Sequence, residues 1–205
     1  MGSDKILYVP KPQKKSIFFA EHIKFESLAD SPWKNGGGST RQIAMEPENA
    51  SLERCDFLWR LSSAEIANAG PFSSFPDFDR LLMLLTGEEG LILKFSETRK
   101  HLMPGTVLHF RGEEPVQAEI EQGPVRDLGL IYDRKRVLAK MSLFDFEKKP
   151  RSFSLTAPDV LLFVLTGEIH AIVYPGEKDF LLEPFDTLRI GASEKERLVF
   201  LDPGD

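Results

Sequence analysis

The chain has 205 residues, 41% of them hydrophobic and 28% charged, which is enough apolar material for a folded core and excludes a disordered acidic tail. Its 26 Lys and Arg stand against 32 Asp and Glu, a formal net charge of −6, whereas a nucleic-acid binder carries a basic patch or stripe. The single cysteine, Cys55, excludes an intramolecular disulfide and a Cys-rich zinc site.

In chain order, short runs rich in Phe, Leu, Ile and Val predict strands at 16–19, 40–45, 57–64, 80–86, 91–95, 106–110, 116–120, 136–141, 160–166, 169–174, 187–190 and 197–201. A short helix is expected near 25–29, before Pro32. Breakers separate the runs: Gly70-Pro71, Gly87 to Gly90, Pro104-Gly105, Gly123-Pro124, Pro175-Gly176 and Pro184. Many short strands with frequent turns predict an all-β sandwich or barrel. The longest apolar runs, 81–85 and 160–165, fall far short of the roughly 20 residues of a membrane helix. No signal peptide is legible, so no membrane partner is expected and the cytoplasm is the expected compartment.

An internal repeat organises these strands. Leu-Leu-Met-Leu-Leu-Thr-Gly-Glu at 81–88 returns as Leu-Leu-Phe-Val-Leu-Thr-Gly-Glu at 161–168. At the same offset Leu102 meets Leu182 and Pro104 meets Pro184, and Thr106-Val107 is answered by Thr187-Leu188, one residue out of step. Each unit reads as strand, Thr-Gly-Glu turn, strand, proline turn, strand. This resembles the cupin barrel, and two copies would make a bicupin: two cupin-like barrels or sandwiches in one compact chain, at about 16–145 and 150–205, with exchange of strands left open. Lys148-Lys149-Pro150-Arg151 reads as a solvated linker between them, and 194–197 as an exposed turn. Cupins usually hold a metal through His-x-His, a Glu and a later His. The four histidines here, His22, His101, His109 and His170, include no pair two residues apart. No metal and no cofactor are therefore expected.

Three segments carry chemistry. In Pro32-Trp33-Lys34-Asn35-Gly36-Gly37-Gly38-Ser39-Thr40-Arg41, consecutive glycines allow close backbone approach or positive φ, flanked by a stacking face, cations and hydrogen-bonding groups. The same pattern suits a plain β-connection, and it is neither a P-loop nor a dinucleotide fingerprint. In 57–64, alternation sets Phe57, Trp59, Leu61 and Ser63 on one face and Leu58, Arg60, Ser62 and Ala64 on the other. A guanidinium on such a small-residue face needs an anion if buried, either a ligand carboxylate or an internal acid such as Glu65 or Asp79. The run from Gly70 to Arg80, with two prolines and three phenylalanines, makes a stiff loop that walls a pocket or plugs one end.

Together, Trp33-Lys34-Asn35-Gly36-Gly37-Gly38 with Thr40-Arg41, Trp59-Arg60, Gly70-Pro71-Phe72-Ser73, Phe75-Pro76, Asp79-Arg80, Leu85-Thr86-Gly87-Glu88, Phe110 with Gly112, and Gly123-Pro124-Val125-Arg126-Asp127 resemble the HutD/Ves family, over about 16–140. The resemblance implies a metal-free bicupin associated with histidine utilisation. It implies a regulatory protein that binds a small carboxylate of that pathway, such as urocanate or a formylated glutamate, with no established reaction. It makes Arg60 the carboxylate anchor, Lys34, Asn35, Thr40 and Arg41 groups of the pocket rim, and Trp33 and Phe72 flat faces for a planar ligand, with no catalytic residue assigned. The chain departs from the family pattern at Leu128-Gly129, where Phe-Asn is usual, and at Asp77, where Gly is usual. If that Asn touches ligand, the ligand differs here. The competing reading is a metal-independent cupin enzyme, an isomerase, lyase or hydrolase of a small polar acid, with Glu65, Asp79 or His109 as acid or base if one lies beside Arg60. A third is a pure interaction module. A homodimer is a possible assembly, through edge strands.

Overall fold

Branched and aromatic residues alternate with polar ones through most of the chain, and the chain responds with strands. The computed structural model describes residues 18–146, 148–191 and 197–204. In order the strands are β1 Ala20–Ile23, β2 Asp30–Pro32, β3 Gly38–Glu46, β4 Trp59–Ile66, β5 Gly70–Pro71, β6 Phe78–Thr86, β7 Leu91–Lys94, β8 Arg99–Leu102 and β9 Val107–Arg111. They continue as β10 Gln117–Glu119, β11 Val125–Asp133, β12 Arg151–Leu155, β13 Val160–Phe163, β14 Ile169–Tyr174, β15 Lys178–Leu182, β16 Thr187–Ile190 and β17 Arg197–Asp202. The one helical turn among the described residues, Phe25–Ser27, falls where a short helix is expected.

The chain divides into two units: Ile23–Glu147, and the residues up to His22 together with those from Lys148 onward. The first unit holds a six-stranded sheet, β2-β3-β4-β11-β6-β9, and a four-stranded sheet, β5-β10-β7-β8. Leu82 and Leu84 of β6, Ile66 of β4 and Val125 of β11 pack with Leu91 and Leu93 of β7, Leu102 of β8 and Ala118 of β10. The first unit is thus a two-layer sandwich rather than a closed barrel, with its core between the layers. The second unit holds β1-β16-β13 and β12-β17-β14-β15. In that unit the fully buried Val173, Leu188, Ile190 and Val199 supply apolar core.

The repeat governs the pairing. In the first unit β6 pairs with β9 and β7 with β8 and β10; in the second β13 pairs with β16 and β14 with β15 and β17. The proline turns match atom for atom. Gly105 N donates to Leu84 O at 2.8 Å, and Phe185 N to Val164 O at 2.7 Å. Gly105 has φ +81°, and Phe185 holds the same left-handed conformation at φ +72°.

Some boundaries differ from the sequence reading. Of the expected strand 16–19, residues 16 and 17 lie outside those described, and the strand begins instead at Ala20. The expected strand 136–141 is absent. Asp133 Oδ1 accepts from Lys135 N (2.8 Å) and Arg136 N (3.2 Å), turning the chain, and Leu138 is wholly exposed. The strand lies just upstream as β11, at the centre of the six-stranded sheet. Arg126, Asp127 and Gly129 interrupt its apolar pattern and conceal it. Four of the expected exposed residues, 148–151, are indeed at the surface. Of the expected turn at 194–197, residues 194–196 lie outside those described, while Arg197 is buried.

Candidate functional site

Strand register brings three rows of side chains onto the inner face of the six-stranded sheet. Arg60 of β4, Ile131 of β11, Arg80 of β6 and Phe110 of β9 form one row. Gln42, Ser62, Gly129 and Leu82 form the next, and Thr40, Ala64, Asp127 and Leu84 the third. Two guanidiniums therefore face one carboxylate across a row whose centre, Gly129, has no side chain. A Cβ there would meet nothing closer than 3.9 Å, from Asp127 Oδ1 and Ser62 O. The glycine leaves a gap above the sheet.

The charged groups around the gap are buried: relative exposure is 8% for Arg60, 9% for Arg80 and 5% for Asp127. Arg60 Nε donates to Gln42 Oε1 at 2.9 Å and Nη1 to Ser62 Oγ at 3.0 Å. Gln42 is exposed and brings the cluster to solvent, beside a bulge where the β3–β4 register shifts between Gln42 and Ala44. Arg80 Nη2 donates to Ser73 O at 2.6 Å, and its guanidinium lies 4.9 Å from the ring centre of Phe75, 5.5 Å from Phe72 and 5.8 Å from Phe110. Asp127 Oδ1 accepts from Ala64 N at 3.3 Å. Burial pushes the Asp127 carboxyl up to about 7, against the pull of that N–H and of Arg80, Arg126 and Arg60. Burial likewise lowers Arg60 and Arg80 to about 10, so both remain cationic at neutral pH.

Of the residues named from sequence, Arg60, Thr40 and Phe72 gather around this cluster, Thr40 in the row of Asp127 and Phe72 beneath Arg80. Trp33 packs against the adjoining core and donates through Nε1 to Thr40 Oγ1 at 2.7 Å. Lys34 and Asn35 lie exposed on the β2–β3 hairpin, where Asn35 Oδ1 accepts from Gly37 N at 3.0 Å. Arg41 is not brought together with Arg60. It pairs with Ser63 on the opposite face, 4.8 Å over the Phe25 ring, and donates to Phe25 O at 3.3 Å.

Neither acid expected beside Arg60 is there. Glu65 is on the opposite face and accepts from Arg126 at 2.6 Å, and Asp79 faces away with His109, at 2.9 Å. The acid on the inner face is Asp127. Arg80, Asp127, Gln42 and Gly129 are the members of the cluster that the sequence reading did not assign. Arg80 shares the face of Leu82 and Leu84, but the unbroken apolar run 81–85 gives no alternation to mark that face; Asp127 required the hidden strand β11. Among the described residues no group of three or more His, Cys, Asp and Glu is placed to hold a metal ion.

Fold and cluster together define an all-β, cupin-like protein with a buried polar patch on the inner face of its first unit. The sequence profile of the HutD family matches residues 25–204, and the chain belongs to that family. It is 33% identical over 174 residues to an uncharacterised 21.2 kDa protein from the hutC 3′ region of Pseudomonas putida, covering 84% of this chain and 87% of that one. It is 36% identical over 152 residues to protein Ves of Cronobacter sakazakii, covering 72% and 77%. HutD from Pseudomonas fluorescens SBW25 superimposes with a TM-score of 0.74 at 29% identity, over 90% of this chain and 97% of that one. At 7% identity, a tryptophan variant of oxalate decarboxylase from Bacillus subtilis shares the fold alone, with a TM-score of 0.53 over 100% of this chain and 87% of that one.

Proposed function

We propose that this chain binds a small carboxylate and acts by holding it, as a regulatory protein of the HutD/Ves type. The candidate ligands are acids of histidine breakdown, urocanate or formylglutamate. The observation that carries this reading is the charge count over Gly129: two buried guanidiniums, Arg60 and Arg80, and one buried carboxylate, Asp127. Buried charge is costly unless paired, and the surplus cation calls for an anion. The guanidinium fork suits a carboxylate, and Phe72 offers an aromatic wall nearby.

A charge-assisted hydrogen bond contributes about 1.5–3 kcal/mol. Arg60→Ala therefore weakens urocanate or formylglutamate binding by about 10- to 150-fold. Calorimetric titration of both proteins checks this, and equal affinities reject Arg60 as the anchor.

One observation favours a second reading, a metal-independent enzyme. A carboxyl held near pH 7 beside an anion anchor is suited to general acid–base work, and Asp127 is such a group. Glu65, Asp79 and His109 do not serve this reading, because they sit on the other face. Conversion of either acid by purified protein, abolished in Asp127→Asn, would establish it.

A further inference from the structure

The free atoms of the buried cluster have an arrangement of their own. Asp127 Oδ1 is taken by Ala64 N, whereas Oδ2 accepts no hydrogen bond from the described residues, and Arg80 Nε is buried without a partner among them. Arg60 Nη2 is likewise without a partner, since Nε and Nη1 serve Gln42 and Ser62, as is Arg80 Nη1, since Nη2 serves Ser73 O. These atoms belong to side chains more than nine-tenths buried, on three adjacent strands, around a glycine that leaves the space between them open.

The cluster is polar in the sense of having two unlike ends. Arg60 and Arg80 start from the row of Ile131, and Asp127 lies four residues back along β11. Arg60 reaches Ser62, one row toward Asp127. The span left to a ligand is then about two residues of strand, roughly 6–7 Å. One end offers donors and positive charge; the other offers an acceptor. Two guanidiniums and one carboxylate leave a single surplus positive charge, which one ligand carboxylate neutralises. A second carboxylate on the ligand, laid against Asp127, would bring like charges together where water is scarce.

We propose that Asp127 determines specificity at this site, selecting a small acid with one carboxylate for Arg60 and Arg80 and an N–H or O–H donor on its far side for Asp127 Oδ2. This inference rests on the carboxylate-binding reading above, adds to it the demand for a donor, and narrows its two candidates to urocanate, since formylglutamate carries a second carboxylate. A matched pair of probes separates the two. Urocanate carries a ring N–H; 3-(2-furyl)acrylate carries the same carboxylate and vinyl spacer on a five-membered ring without one.

Both acids are titrated calorimetrically at pH 8 against wild type, Asp127→Asn, Arg60→Ala and Gly129→Ala. Wild type is expected to prefer urocanate by about tenfold or more. Asp127→Asn is expected to narrow or reverse that preference while circular dichroism shows the fold retained. Gly129→Ala has room for its methyl group, so it is expected to fold as wild type and to weaken both acids by filling the floor. Equal wild-type affinities for the two acids overturn the inference, whether or not Asp127→Asn folds. An unchanged preference in Asp127→Asn, with both acids lost in Arg60→Ala, removes Asp127 and leaves the carboxylate site standing. Binding of neither acid to wild type overturns this inference, and it overturns the carboxylate-binding reading as well if formylglutamate, titrated alongside, also fails to bind.

Discussion

Asp127 is pulled in two directions: three arginines favour its charge, and burial in the sheet disfavours it more. Its ordinary value of 3.8 moves up to about 7 in the folded protein. Between those two pH values the folded chain holds a proton that the unfolded chain has released. This contribution to stability is therefore fully present below about 4, declines as pH rises toward 7, and is gone above it. Asn cannot ionise. Asp127→Asn should thus melt a few degrees above wild type at pH 8, with the difference shrinking toward pH 4, as thermal melts across that range would show; a constant difference argues against a raised carboxyl. At this scale the sequence was half legible. Alternation in 57–64 put Arg60 on the correct face with Ser62 and Ala64. It could not name Asp127 as the acid on that face, because a strand's own period says nothing about which distant strand lies alongside.

Among the elements, the β2–β3 hairpin shows what the glycine run is for. Gly38 opens β3 opposite Ile66, and a Cβ on it would stand 2.1 Å from the backbone oxygen of Glu65. The close approach allowed by the glycines is thus an approach to β4 of the same sheet. Backbone cannot yield as a flexible side chain does, so Gly38→Ala must push β3 off β4. A loss of about 1–3 kcal/mol is expected, the range of an overpacked site, measurable as a lower urea midpoint with an unchanged slope. A midpoint equal to wild type would show that the contact is relieved at no cost. The glycines marked a β-connection into β3, but β2 at Asp30–Pro32 was not among the expected strands, so the hairpin was not legible. Nor was strand β11, because its two faces carry Arg126 and Asp127 for separate partners and no simple apolar alternation survives.

For the whole molecule, the repeat was the most informative sequence feature, since equal spacing of Thr-Gly-Glu and proline implied equal strand pairing. The division of chain was less accessible: β1 pairs with β16, and no local pattern predicts so distant a partner. Ligand bound around Arg60 stabilises the unit that holds it, by about 2.7 kcal/mol at 100 times Kd. With urocanate at that excess, amide exchange in β4 and β11 should slow by about 100-fold and that in β14 and β17 should not. Equal slowing in both would place the ligand elsewhere. The matched proline turns carry one more consequence. Counting along the repeat, Val160 occupies the place of Arg80, and Phe185 the place of Gly105. The second copy holds the same bend without a glycine, and an apolar residue stands where the first copy has its cation. The second unit carries buried charges of its own, Asp186, Arg189 and Arg197, at other positions of the shared scaffold. That scaffold is a natural place to write a second site, beginning from Val160→Arg.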